Sequence, residues 1–517
     1  MTKTNKMKRS LVKNELITDI DVELFVEHAQ EIIDKATEER KKKYIESGLD
    51  RTEEEKRKEA KLVNDITLDF IKKNSRKIYG GYALNKLLIA KDPEMFIYTD
   101  EDIPDIDFYS PQPILDIVRL SNLLHKKGLK NVTGKEAIHA ETFKIFVNGD
   151  PYCDITYVPL HIYNKMPFND IEGFKIIGAE FMIVDYFRMM TDILLTDWRI
   201  EKTVKRLYKL VTHYPLPNIT APIIAEIPNN KVEFNKLMNS VQTYGENNSS
   251  CVFIGFYAYN HLLKESNFKN KDSKFDFINI PYYELIVGDY KNNTLELINK
   301  IKTDNPEIEN DINTKEFYPF FQFTGHSTVI YYKTVMIAKV FSNNRKCIPF
   351  NTVNSIKFGK NQAINGTKNI NIGSFSIIVL FALINAMKAR VNDEKETKIL
   401  HYTIVSHLTM FRNYFFESTK KTFLDVSLFQ EFVMGCLGIP YDLKQEKQFA
   451  KDKKIKTFHF TYNPQNKMMD EPLPPQMGQF ENTSGNEINN PKNLQLIESD
   501  VSTNIGNEIT TTELSQI

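Results

Sequence analysis

Residues 77–88 read Lys77-Ile78-Tyr79-Gly80-Gly81-Tyr82-Ala83-Leu84-Asn85-Lys86-Leu87-Leu88. The stretch 80–88 (G-G-Y-A-L-N-K-L-L) returns at 255–263 as G-F-Y-A-Y-N-H-L-L. A short apolar run, a glycine turn and an amphipathic helix are thus written twice. Laid over itself without gaps at that 175-residue offset, the chain places Asp105, Asp107 and Asp154 on Ile280, Tyr282 and Val329. The expectation is a duplicated α+β fold, mixed sheet with helices. Its second copy would keep the framework and lose the acids, which marks the acids as the chemistry.

The flanking sequence fills in the first copy. Asp105–Ser110 alternates acid and apolar residues at period two, which puts Asp105 and Asp107 on one strand face. Phe143–Asn148 and Tyr152–Val158 read as a hairpin about Asn148-Gly149-Asp150-Pro151, with Asp154 and Thr156 sharing a face. Glu180–Leu210 carries a helical apolar stripe and the chain's one tryptophan, Trp198. Tyr214-Pro-Leu-Pro-Asn218 breaks that pattern and links the halves. The second hairpin is expected at Glu316–Lys333, aligned without a gap to Glu141–Val158. Its aromatic residues are expected to pack rather than to stack on bases.

At 517 residues the chain exceeds a single core. Expected divisions are an N-terminal helical segment over 1–72, a first α+β domain over 73–220, its degenerate copy over 221–445 and a largely disordered tail over 446–517. Residues 1–15 are expected to be disordered as well. Lys plus Arg equals Asp plus Glu at 67 each, so no global charge steers the chain toward nucleic acid, and contact would rest on local patches. Cys153, Cys251, Cys347 and Cys436 form no CxxC pair, which argues against a zinc ribbon and for reduced thiols. The N-terminus is basic without an apolar core, so no secretion signal is read, and no run is apolar and long enough to span a bilayer. A soluble cytosolic protein is expected.

Three carboxylates on neighbouring strand faces beside a glycine turn suit a two-metal site for Mg²⁺ or Mn²⁺. Gly80 and Gly81 would let backbone N–H groups and the positive helix end approach a triphosphate. Arg199, Lys202, Lys205 and Arg206 recur at helical spacing as either a solvated basic face or a clamp on phosphates. His139 and His161 lack partners at ligand spacing and are read as core or surface residues.

Ile78-Tyr-Gly-Gly-Tyr-Ala-Leu, Pro104-Asp-Ile-Asp-Phe-Tyr-Ser and Tyr152-Cys-Asp-Ile-Thr-Tyr-Val together resemble the DNA polymerase β-like nucleotidyltransferases. More closely, the chain is similar to the poly(A) polymerase catalytic subunits of large nucleocytoplasmic DNA viruses, the mimivirus type above all. The similarity runs over about 60–440 and includes Thr191-Asp-Ile-Leu-Leu-Thr-Asp-Trp-Arg-Ile-Glu-Lys and Phe429-Gln-Glu-Phe.

The resemblance implies two tandem nucleotidyltransferase-like domains, the second degenerate. It implies template-independent addition of AMP from ATP to an RNA 3′ end, with Asp105 and Asp107 on both metals and Asp154 completing the triad. Gly80 and Gly81 would hold the phosphates, with Arg199 and Lys202 as further nucleotide-binding residues. It also implies a homodimer, action in the host cytoplasm at the viral factory, and the virion as a second location. Gly81 stands where many such enzymes carry Ser, and 23 residues separate it from Asp105, so an inserted loop is expected. The competing readings are a uridylyl- or CCA-type transferase and a non-catalytic RNA-binding scaffold.

Overall fold

The computed structural model describes residues 19–46, 51–99, 102–137, 141–224, 231–344, 346–359, 362–439 and 460–466, with positions 485, 487 and 488. Two compact units divide the chain, residues 1–63 and 64–517. The first carries α1 (Asp19–Glu46) and the start of α2 (Glu53–Lys73). Charged residues make up half of α1, and the apolar Leu24, Ile32 and Ile33 stay exposed. The expected disorder of 1–15 lies outside the described residues.

The second unit contains the repeat. Its first half runs β1 (Lys77–Tyr79), α3 (Gly80–Lys91), β2 (Asp107–Ser110), α4 (Pro113–Lys126), β3 (Val132–Glu136), β4 (Thr142–Val147), β5 (Asp150–Tyr157), α5 (Leu160–Lys165), β6 (Phe168–Ile171) and β7 (Phe174–Ile177). Then come α6 (Ala179–Thr191), α7 (Ile193–Thr196), a 3₁₀ turn at Asp197–Arg199 and α8 (Ile200–His213). The long helix expected over Glu180–Leu210 is therefore broken near Asp192.

The second half runs α9 (Lys231–Asn247), β8 (Cys251–Ile254), α10 (Gly255–Ser266), α11 (Phe268–Lys271), β9 (Tyr283–Val287), α12 (Tyr290–Asp304), β10 (Ile312–Phe317), β11 (Ser327–Tyr332) and β12 (Val335–Ser342). After these come β13 (Ile348–Gly359), β14 (Gln362–Gly373), α13 (Phe375–Val391), α14 (Lys395–Thr419) and the short β15 (Cys436–Leu437) and β16 (Thr461–Tyr462).

Among the described residues the strands form two mixed sheets in the orders β16-β3-β4-β5-β2-β1-β7-β6 and β10-β11-β12-β9-β8-β14-β13-β15. Apart from β15 and β16, the two orders are the same. In each, the glycine-turn strand is antiparallel to the next strand (β1 to β2, β8 to β9), which is parallel to the hairpin's second arm (β5, β12). The duplication read from 80–88 and 255–263 is present in the topology.

The ungapped alignment is not. Tyr79 pairs with Asp107 in the first copy, and Ile254 pairs with Glu284 in the second. The chain joining Ile254 to Glu284 is two residues longer than that joining Tyr79 to Asp107, so the side-chain register slides by one full strand period. The counterpart of Asp107 is therefore Glu284, not Tyr282, and that of Asp105 is Tyr282, not Ile280.

The hairpin slides further. β11 and β12 occupy Ser327–Ser342, and Glu316 belongs to β10, the counterpart of β3. Lys144 faces Asp154 across β4–β5, and Val329 faces Lys339 across β11–β12. Asp154 is thus matched by Lys339. The second copy keeps one acid, and where the third acid stood it carries a cation.

Buried groups fix β2 in place. Arg76 grips the fully buried Asp116 of α4 with two bonds, Nε to Oδ2 at 2.6 Å and Nη2 to Oδ1 at 2.8 Å. Ser110, the last residue of β2, donates to the same carboxylate at 2.5 Å. The Asn148-Gly149 turn has positive φ at both residues (51° and 92°), as a tight hairpin requires.

One expectation is corrected here. Cys347 and Cys436 are joined as a disulfide with Cα atoms 5.2 Å apart, where β13 pairs with β15. Their separation of 89 residues hid the pairing from a spacing argument; Cys153 and Cys251 are free and buried. The tail is not structureless throughout 446–517. Thr461 and Tyr462 add an antiparallel strand to β3, Tyr462 donates to Asn122 Oδ1 at 2.6 Å, and Phe460 meets Phe143 edge-on at 5.6 Å. Beyond 460–466, only 485, 487 and 488 of that tail are among the described residues.

Candidate active site

Asp107 opens β2, between the buried Ile106 and Phe108. Alternation turns Asp107 and Tyr109 to one face, and Asp154 and Thr156 to the same face of neighbouring β5. The Asp154 backbone N–H donates to Asp107 Oδ1 at 3.3 Å. Below the acids, the Tyr79 ring stacks on Tyr109 at 4.1 Å, and its hydroxyl lies 2.7 Å from Thr156 Oγ1. Phe321, from the second copy, meets Tyr109 edge-on at 6.0 Å and closes this floor. Phe320, Phe321 and Phe323 are buried, so these rings pack.

The three carboxyls act on one another. Burial, then Asp154 and Asp105, push Asp107 up to about 7, against the pull of Lys144. The side chain of Asp105 is at the surface, yet the atoms packed behind it and Asp154 raise its carboxyl too, while Lys144 and Lys202 pull it down. Lys144 Nζ stands 2.7 Å from Asp154 Oδ1.

The acids do not close on one point: among the described residues no group of three or more His, Cys, Asp or Glu side chains stands at ligand spacing. Asp154 turns instead to Lys144, whose ammonium stands in for a cation. An all-oxygen donor set with negative charge in excess fits a hard divalent ion, which would relieve the crowding that raises Asp107.

Gly80 has φ of +74°, and a Cβ there would come within 2.6 Å of Asp107 Oδ2. Only glycine allows the turn to lie against the acid. Gly81 follows at the start of α3. Across from it, α8 presents Lys202 and Arg206. The Lys202 ammonium is pushed down by Arg206, by partial burial and by Arg199, and drawn up by Asp105 and Asp107. Lys202 therefore faces the acids, while Arg206 turns to Tyr98. Lys205 does not share that role: its ammonium pairs with Glu201 at 2.5 Å on the exposed side. Arg199 lies over the Trp198 ring at 5.0 Å. His161 is half-buried, and His139 falls outside the described residues. Lys144 and Tyr98, both in this site, were not legible as site residues: one stood alone on a strand, the other in a loop of unknown path.

The equivalent place in the second copy is neutralised internally. Gly255 keeps the positive φ (+61°) and abuts Glu284. Asn385 donates to Glu284 Oε1 at 3.2 Å, and Lys339 donates to Asn385 Oδ1 at 3.2 Å. Burial raises the Glu284 carboxyl, and Lys339 and Asn385 hold it down. Lys339→Met is expected to cost about 2–3 kcal/mol by stranding that acid, and Glu284→Gln in the same chain to recover most of it. Denaturant melts of the two single variants and the double variant check this.

Two family models match in tandem. "Poly(A) polymerase catalytic subunit" covers residues 65–195, and "APMV, Putative poly(A) polymerase, catalytic subunit, C-terminal" covers 209–498. The chain belongs to the poly(A) polymerase catalytic subunit family. A poly(A) polymerase catalytic subunit from Acanthamoeba polyphaga mimivirus, so named as putative, is 32% identical over 467 residues, which is 84% of this chain and 78% of that protein. One from African swine fever virus is 25% identical over 182 residues, 34% of this chain and 37% of its own. The crystal structure of the Megavirus polyadenylate synthase superposes with a TM-score of 0.73 at 31% identity, covering 94% of this chain and 96% of that one. The poly(A) polymerase family thus spans both copies of the repeat.

Proposed function

We propose that this chain is a polynucleotide adenylyltransferase, adding AMP from ATP to an RNA 3′ end without a template and releasing pyrophosphate. Its family and the Megavirus structure support the reaction class. The observation that carries the reading is the charge arrangement: Asp107, pushed to about 7 among Asp105 and Asp154, faces Lys202 of α8.

Asp105, Asp107 and Asp154 would hold two Mg²⁺ or Mn²⁺ ions. When bound, such ions lower the pKa of the attacking hydroxyl and offset charge on the leaving group. The chain's own groups do the rest. Gly80 and Gly81 bring backbone N–H groups and the N-terminal end of α3 to the triphosphate. Lys202 and Arg199 balance its charge. Lys144, paired with Asp154 at 2.7 Å, would orient that carboxylate. The second copy is a wall behind the site, joined through Phe321 to Tyr109. A homodimer, work in the host cytoplasm and presence in the virion belong to this proposal. Among the described residues no helix is long and apolar enough to cross a membrane.

Incubation of the purified chain with a short RNA, Mg²⁺ or Mn²⁺ and each of the four nucleoside triphosphates in turn tests it. Extension with ATP above the other three is expected. Preference for UTP or CTP would make it a different transferase, and RNA binding without extension would leave a scaffold.

A further inference from the structure

After α3, residues 92–99 carry Tyr98 back over the glycine turn. Asn85 of α3 fastens the loop there: its Oδ1 accepts from the backbone N–H of Ile97 at 2.8 Å and of Tyr98 at 3.3 Å. Lys209 of α8 donates to the Phe96 carbonyl at 3.3 Å. A Cβ at residue 81 would collide with the Tyr98 hydroxyl and stand 3.1 Å from Arg206 Nη1. A phenol oxygen and a guanidinium therefore occupy the space that a side chain at position 81 would fill. Arg206 Nη2 donates to that oxygen at 3.0 Å, and the guanidinium lies over the ring at 5.7 Å. Because the oxygen accepts from Arg206, its own proton is left for a second acceptor. Both groups are half-buried.

We propose that Tyr98 is a substrate-binding residue whose hydroxyl, set over Gly81 by Arg206, donates to the polyphosphate of the incoming nucleotide. This rests on the nucleotidyl-transfer reading of the site and adds to it. The inserted loop thereby delivers, from a distance, a hydroxyl that position 81 lacks, with a cation already attached. Glycine at 81 is required because the space is taken.

Tyr98→Phe keeps the ring and removes the oxygen. Two measurements read the loss: KM for ATP in RNA extension, and affinity for inorganic tripolyphosphate measured by calorimetry with the full chain. Losing one hydrogen bond to a charged oxygen should raise both KM and the tripolyphosphate Kd about tenfold, with kcat changed less than about twofold. In Tyr98→Ala, adding Gly81→Ser returns a hydroxyl to the vacated space and should recover part of the affinity. Unchanged KM and Kd in Tyr98→Phe, a loss confined to kcat, or no tripolyphosphate binding by the wild-type chain would overturn the assignment. Failure of the wild-type chain to extend RNA would instead count against the transferase reading, and the calorimetry would still decide Tyr98.

Discussion

Asp107→Asn is expected to lower ATP-dependent RNA extension on the order of a thousandfold or more, without loss of folding. Asn keeps the shape and can still accept from the Asp154 N–H, so the strand pairing at Tyr79 survives. What goes is the charge that most needs a cation. Burial and two neighbouring carboxylates already disfavour that charge, so the metal-free variant should melt at or above the wild-type temperature. Thermal melts beside single-turnover extension measure both effects. A variant that is inactive because it is unfolded would show the reverse pattern.

Gly80→Ala is expected to be the next most damaging change. The residue sits at φ +74°, which alanine adopts at a cost of about 1–2 kcal/mol, and its Cβ would press on Asp107 Oδ2. Displacing a catalytic carboxylate by about an ångström is expected to cost roughly a hundredfold in rate. Gly255→Ala supplies the control. It meets the same backbone strain and stands closer still to the Glu284 carboxylate, so its stability loss should be at least as large. Its effect on extension should be small, because Glu284 belongs to an internally neutralised pair. Equal activity losses in both variants would mean that the second copy also takes part in the chemistry.

These contrasts show how far the sequence could be read. The glycine turns at 80 and 255, the Asn148-Gly149 hairpin and the shared strand face of Asp107 with Tyr109 follow from local rules, since φ and side-chain alternation are set within a few residues. The repeat was legible for the same reason. Its register was not. Insertions between the repeated pieces leave no local mark, and a two-residue slip keeps the inward–outward alternation intact, so Tyr282 looked as good a partner for Asp107 as Glu284.

That error made the second copy look merely apolar. It holds instead a buried carboxylate with its own ammonium nearby. Long-range contacts were equally hidden. Lys144 reaches Asp154 through strand pairing, Tyr98 reaches Gly81 through a loop fastened by Asn85, and Cys347 reaches Cys436 through the pairing of β13 with β15. The basic cluster divided as its chemistry allows: Lys202 faces the acids, Arg206 holds Tyr98, and Lys205 is matched by Glu201 four residues earlier. The cationic face was legible, but not which of its members had partners.

We propose that Asp105, Asp107 and Asp154 hold divalent cations together. Titrating Mn²⁺ into the full chain with a non-hydrolysable ATP analogue, followed by electron paramagnetic resonance, tests it most directly. The account predicts two coupled ions in the wild-type chain, and loss of the coupling in Asp154→Asn. Equal binding and equal coupling in the wild type and that variant would contradict it.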